Sequence, residues 1–111
     1  MFSATERLSR LAFTEYFKTG RRYQTPALTL IYLPFSQLLV STVVGKKVSK
    51  LAVGRNRLRR RIYASMHRSF TALNVTSGVY IVITKPVAAA YERGALALEV
   101  SILLALPHKA R

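Results

Sequence analysis

The sequence contains no cysteine and no aspartate. Without cysteine there is no disulfide framework, no zinc knuckle and no thiol nucleophile. Acidic residues of any kind are scarce: Glu6, Glu15, Glu92 and Glu99 stand against 18 Lys and Arg residues, a formal net charge of +14. No carboxylate occurs between Glu15 and Glu92. Paired-carboxylate catalysis and an acidic metal cage are thereby excluded from the middle of the chain. Long apolar runs are missing too. The most apolar stretch, residues 95–106, is interrupted by Glu99, whereas spanning a bilayer takes about 20 residues. Residues 1–10 hold no apolar segment of signal-peptide length. The expectation is a soluble chain in a reducing, cytoplasmic setting, with no segment that spans a membrane.

What is present bounds the fold. A length of 111 residues allows one domain, residues 1–111. Half the residues are apolar, enough to bury a modest core and too many for bulk disorder. A small fold that stays compact against this much self-repulsion calls for a polyanionic partner, nucleic acid or an anionic membrane surface.

Along the chain, residues 9–18 read as a short helix. Ser9 is a candidate N-cap, Gly20 a candidate stop, and Lys18 lies in the last turn where a cation is favoured. Phe13 and Phe17 are four apart and share a helical face. Residues 21–24 are extended or turn-like, and residues 27–33 read as a strand. A turn at residues 34–37 and a second apolar run at residues 38–44 predict a hairpin. Residues 49–72 form the longest predicted helix. Its 3.6-residue period gathers Leu51, Leu58, Ile62, Met66 and Leu73 in one arc. Asn56, Arg57, Arg60, Arg61, His67 and Arg68 fall opposite, with Arg59 and Tyr63 on a flank. Arg55 falls inside the apolar arc: either its stem snorkels, or regular helix begins near it, after Gly54. Residues 74–78 form a polar turn. Residues 79–84 read as a central strand. Pro86 opens a helical region that reaches Leu106, with Gly94 as a point of interruption and Pro107 as the stop. Helices covering one side of a small sheet give a two-layer α/β sandwich.

The chemistry concentrates in residues 46–68, where nine of 23 residues are basic: Lys46, Lys47, Lys50, Arg55, Arg57, Arg59, Arg60, Arg61 and Arg68. A solvated helix face normally mixes signs, so that i,i+4 pairs offset repulsion. This one has no acid to pair with. Arg outnumbers Lys here by six to three, and its planar fork grips phosphate oxygens and stacks on bases. That favours RNA or DNA over lipid, because the apolar arc offers core-type side chains rather than interfacial aromatics. No catalytic constellation accompanies it. There is no phosphate loop, no G-x-S-x-G, and no aspartate to complete a triad. His67 and His108 are far apart and read as surface histidines. Composition alone assigns Phe13 and Phe17 to a core; stacking on unpaired bases is the other use of such a pair.

The string Val44-Gly45-Lys46-Lys47, followed by Ala52-Val53-Gly54-Arg55-Asn56-Arg57-Leu58-Arg59-Arg60-Arg61-Ile62, resembles the signature of the protein component of bacterial ribonuclease P. Arg7-Leu8, Phe13, Phe17 and Gly20 match that family's opening helix in order and spacing. Tyr80-Ile81-Val82-Ile83 with Lys85-Pro86 matches its late apolar strand. The resemblance implies an α+β fold, with a mostly antiparallel sheet of about four strands. It also implies a left-handed β-α-β crossover through the basic helix, against a right-handed rule obeyed in about 98% of cases. It implies a chain without catalytic residues that binds a catalytic RNA and assists 5′ maturation of precursor tRNA, with Mg²⁺ held mainly by the RNA. No protein partner is expected. Arg55, Asn56, Arg57, Arg59 and Arg60 would face that RNA, with Lys46 and Lys47 nearby and Lys50, Arg61 and Arg68 extending the basic face. Phe13 and Phe17 would border a cleft for the single-stranded leader, with Tyr32 and Val44 as its strand residues. There are departures from the family pattern: Tyr63 stands where another Arg is usual, Gly45 where Ser or Ala is common, and Arg61 where an apolar residue is frequent. The alternatives are a ribosomal-type rRNA-binding protein and a DNA-binding domain with the basic helix in a major groove.

Overall fold

The computed structural model describes residues 10–108, with side chains from residue 13. Ser9 as an N-cap, and the Arg7-Leu8 part of the resemblance, lie outside the described residues. The chain runs α1 (Arg10–Thr19), β1 (Arg21–Gln24), β2 (Leu28–Leu33), β3 (Leu38–Val43), α2 (Ala52–Leu73), β4 (Gly78–Thr84), a 3₁₀ turn (Pro86–Ala90), α3 (Arg93–Ala105) and a final 3₁₀ turn (Leu106–His108). This is an α+β fold with one four-stranded sheet in the order β1-β2-β4-β3.

The sheet departs from the expected hairpin. β2 and β3 are not paired; β4 lies between them. β4 runs antiparallel to β2, with Ile31 opposite Ile81, and parallel to β3, with Val40 opposite Tyr80. The reason lies in the sequence of β4, GVYIVIT, which is buried along almost its whole length. Such a strand has an apolar side chain on each face and needs neighbours on both edges. The two less continuous strands take those edges, so the sheet is mostly antiparallel with one parallel pair, and β3 connects to β4 through α2.

Period-2 alternation sorts the strands onto two faces. Leu28, Leu30, Val40, Tyr80 and Val82 point to one face, where Leu58, Ile62, Met66 and Phe70 of α2 and Leu96, Val100, Leu103 and Leu104 of α3 complete the main core. Ile31, Val79 and Ile81 point the other way and are covered by Phe13, Tyr16 and Phe17 of α1. The helices therefore do not all lie on one side. α1 is short, and its aromatic pair gives it just enough apolar surface to cover the centre of the second face. Gly20 ends it: the Gly20 N–H bonds to the Tyr16 carbonyl at 2.9 Å, and a Cβ there would collide with the Ile31 side chain.

The apolar stripe of α2 is narrower than its periodicity suggests. Leu58, Ile62, Ser65, Met66, Ser69 and Phe70 are buried, whereas Leu51 and Leu73 are 73% and 41% exposed. Leu51 precedes the first helical residue, and Leu73 is the last residue before the Asn74 cap. Asn74 ends the helix in the left-handed region at φ 56°, and the Val75 N–H reaches back to the Phe70 carbonyl at 2.9 Å. The later helical region breaks at Tyr91 and Glu92, not at Gly94, which sits inside α3.

A polar latch joins the far ends of these elements. The Glu99 carboxylate on α3 accepts from the Thr25 hydroxyl at 2.6 Å and the Ala27 N–H at 2.7 Å. Lys85, just past β4, donates to the Gln24 amide oxygen at 2.9 Å and the Thr25 carbonyl at 2.8 Å. Lys85 is thus a structural tie in this chain.

Candidate nucleic-acid interface

The site begins in the loop between β3 and α2. Lys46 and Lys47 are exposed at a turn closed by the Val48 N–H on the Gly45 carbonyl at 3.1 Å, and buried Val48 anchors it to the core. A Cβ on Gly45 would meet nothing within 4 Å, so the Ser or Ala common in the resembling family would fit there. Lys50 is exposed one turn further on. The amino end of α2 follows with no acidic residue in its first turn. Its unpaired N–H groups and helix dipole therefore carry the same sign as the lysines beside it.

Arg55 resolves the anomaly in the helical wheel. Regular helix starts at Ala52, ahead of Gly54, and the half-buried Arg55 turns back to donate from Nη1 to the carbonyls of Ser49 (3.1 Å) and Lys50 (2.8 Å). It acts as a strut for the lysine loop, so at least one of its nitrogens is committed inside the chain. Asn56 is exposed, and its Oδ1 accepts from Arg59 Nη1 at 2.6 Å, orienting the half-buried Arg59. Arg57 and Arg60 are exposed, and no carboxylate among the described residues pairs with them or with Arg61. Arg61 is half-buried, its Nε enclosed without an acceptor; its stem occupies the position where an apolar residue would serve. Arg68 donates to the Ser65 hydroxyl at 3.3 Å. Tyr63 does not join the cationic face. Its hydroxyl accepts the Thr42 backbone N–H at 3.2 Å, which covers an outward amide of the edge strand β3.

The four residues expected to line a leader cleft separate into two groups. Phe13 and Phe17 pack together with centroids 5.6 Å apart on the α1 side of the sheet. Arg22 holds its guanidinium 4.8 Å from the Phe17 centroid. Tyr32 and Val44 lie on the opposite side. Val44 is 5% exposed within the main core, and Tyr32 stacks at 5.1 Å on Tyr80 beside that core. The physical reason is alternation: Tyr32 neighbours Ile31, so the two must face opposite ways. Sequence reasoning missed the strand residues that share the face of Phe13 and Phe17, namely half-buried Ser41, Val43 and Ile83. Counting in steps of two from Ile81 along β4, and across the pairing register to β3, finds them.

No group of three His, Cys, Asp or Glu side chains that could hold a metal forms among the described residues. No described helix is long and apolar enough to cross a membrane.

Fold and surface together define a class: a small α+β protein with a mixed four-stranded sheet and an arginine-rich helix face that the described carboxylates leave unpaired. Within that class the chain belongs to the Ribonuclease P family, whose model matches residues 2–106. It is 39% identical over 62 residues to the "Ribonuclease P protein component" of Synechococcus elongatus, covering 50% of this chain and 51% of that protein. A protein of the same name from Nitratiruptor sp. is 34% identical over 74 residues, 67% of this chain and 65% of that one. The chain spans about half the length of the Synechococcus relatives it matches. The fold is shared with a solved RNase P protein mutant from Staphylococcus aureus, at a TM-score of 0.75 and 17% identity, over 94% of this chain and 89% of that one. The ribosomal-type alternative is not favoured by these matches.

Proposed function

We propose that this chain is the protein subunit of a ribonuclease P ribonucleoprotein. In this reading it binds a large catalytic RNA in a cytoplasmic setting and assists Mg²⁺-dependent removal of the 5′ leader from precursor tRNA. The observation that carries the reading is the set of guanidinium groups of Arg57, Arg60 and Arg61 on one side of α2, unpaired with any described carboxylate. Like charges at this spacing destabilise a helix, and an RNA backbone supplies the missing countercharge. Lys46 and Lys47 extend the same face beyond the helix end. On the other side of the sheet, the Phe13–Phe17 pair supports a stacking role toward a single-stranded leader, with Ser41, Val43 and Ile83 beside it. The described carboxylates are scattered over α1, the start of α3 and the latch, and they do not fit a metal centre. No step is assigned to a protein-held ion, and the reading leaves Mg²⁺ to the RNA.

Two measurements test it. Added protein stimulates cleavage of precursor tRNA by the catalytic RNA at low Mg²⁺. With about six phosphates contacted, log K falls against log salt with a slope of roughly −4 to −5. A flat salt response together with no stimulation overturns the proposal.

A further inference from the structure

Between α2 and α3 lies an open pocket of about 440 Å³. Its walls carry five guanidinium-bearing side chains, Arg57, Arg60, Arg61 and Arg68 from α2 and Arg93 from α3, with Ser65 at the seam. We propose that this pocket binds the phosphodiester backbone of a folded RNA, with Arg93 as a binding residue contributed by the second helix. The inference rests on the RNA-binding reading above and deepens it by adding a site and a residue outside the basic segment of α2.

Four observations support it. The cations come from two separate helices, so their convergence follows from the packing of α3 on α2 and not from one charged run. No carboxylate is among the residues that line the pocket. Its volume falls within the roughly 300–1,000 Å³ range of ligand-holding pockets, more room than a single ion needs. Most telling is the place of Arg93. It is the first residue of α3; Glu92 stands just ahead of it as the N-cap residue, its side chain makes no cap hydrogen bond, and no acid follows in the first turn. A cation at the amino end of a helix opposes the helix dipole, where an anion would be favoured. Arg93 is exposed and no hydrogen bond or ion pair engages it among the described residues. Helix stability therefore gives no reason for arginine at this position, whereas an anion seated in the pocket would meet both the guanidinium and the favourable end of the α3 dipole. Arginine suits such a seat, because its fork can grip two oxygens of one phosphate.

The test uses the full chain with the catalytic RNA as probe, measuring affinity across a salt series. Arg93→Ala is compared with Arg21→Ala, which removes the same unit of charge from exposed β1, outside the pocket. For the proposal, Arg93→Ala binds roughly five- to tenfold more weakly and its salt slope is shallower by about 0.7 to 0.9, one phosphate's worth. Arg93→Lys retains the slope and recovers part of the affinity. Arg93→Ala melts no lower than the parent chain, as expected when a cation leaves a helix amino end. If Arg93→Ala and Arg21→Ala bind alike while the parent chain keeps a steep slope, the pocket is not a phosphate site and the general reading survives. If the parent chain itself shows a flat slope, the general reading fails and this inference fails with it.

Discussion

Single residues of the basic segment do different work despite their similar chemistry. Arg55 is bound to two carbonyls of its own chain, whereas Arg60 is exposed and unpaired with any described carboxylate. Arg55→Ala should therefore lower stability by about 1–2 kcal/mol through the lost charge-assisted hydrogen bonds. Arg60→Ala should leave the melting midpoint in place and weaken RNA binding. Thermal melts and binding isotherms of the two variants separate these effects, and a reversed pattern would show that the strut has been misassigned. Gly78 is a second sharp case. It opens β4 at φ 115°, and a Cβ there would approach Tyr80 Cε1 to 2.9 Å and Tyr32 Cε1 to 3.2 Å. Gly78→Ala should cost about 1–3 kcal/mol from backbone strain alone, measured by denaturant unfolding. At this scale the sequence was legible where a charge had no partner to find, as in Arg57 and Arg60. It was not legible for Arg55 or Tyr63, because their partners are backbone groups of a loop and of an edge strand, which no side-chain pattern announces.

At the scale of elements, the long basic helix, the central apolar strand and the short aromatic helix were all readable from periodicity and turn residues. Strand order was not. Sequence-adjacent strands with a turn between them suggest a hairpin, but the strand with the most continuous apolar character claims the centre and separates them. The side taken by α1 was equally hidden. Its placement is set by Ile31, Val79 and Ile81, a second apolar face that shows only once β2 and β4 are put in register. That placement makes Phe17 both a packing residue and a candidate base-stacking residue. Phe17→Ala should lose about 1–3 kcal/mol, less than a fully buried Phe because the ring is half-buried. It should also weaken binding of leader-bearing precursor tRNA more than that of mature tRNA. Equal losses for both RNAs would leave Phe17 with the packing role only.

For the whole molecule, the alkaline limb of stability acts through two tyrosines among the described residues. Tyr80 is fully buried, and its hydroxyl meets His108 Nε2 at 2.9 Å. Burial, and then the neighbouring Tyr32, push its phenol well above the ordinary value. Tyr91 is also raised, chiefly by its hydrogen bond to Glu99. A phenol raised in the fold stays protonated there while its unfolded counterpart ionises near pH 10, so the folded state holds more protons. The stability these groups contribute is complete below about pH 10 and is lost as pH climbs through the raised folded values. The melting midpoint of the chain should thus drop steeply above about pH 10, and Tyr80→Phe should flatten that drop. An unchanged alkaline limb in the variant would remove Tyr80 from the explanation.

The insertion of α2 between two strands that must become neighbours has a consequence for how the molecule comes into being. During synthesis the arginine helix leaves the ribosome before β4 has been made. Until residues 78–84 emerge, β2 and β3 have no common partner, and the buried stripe of α2 has an unfinished floor. The basic face of α2 therefore gains its support only when β4 pairs with β2 along one edge and β3 along the other. A nascent chain halted at the end of α2 would offer polyanions a charged helix whose greasy underside is still bare, a species suited to tangling rather than to assembly.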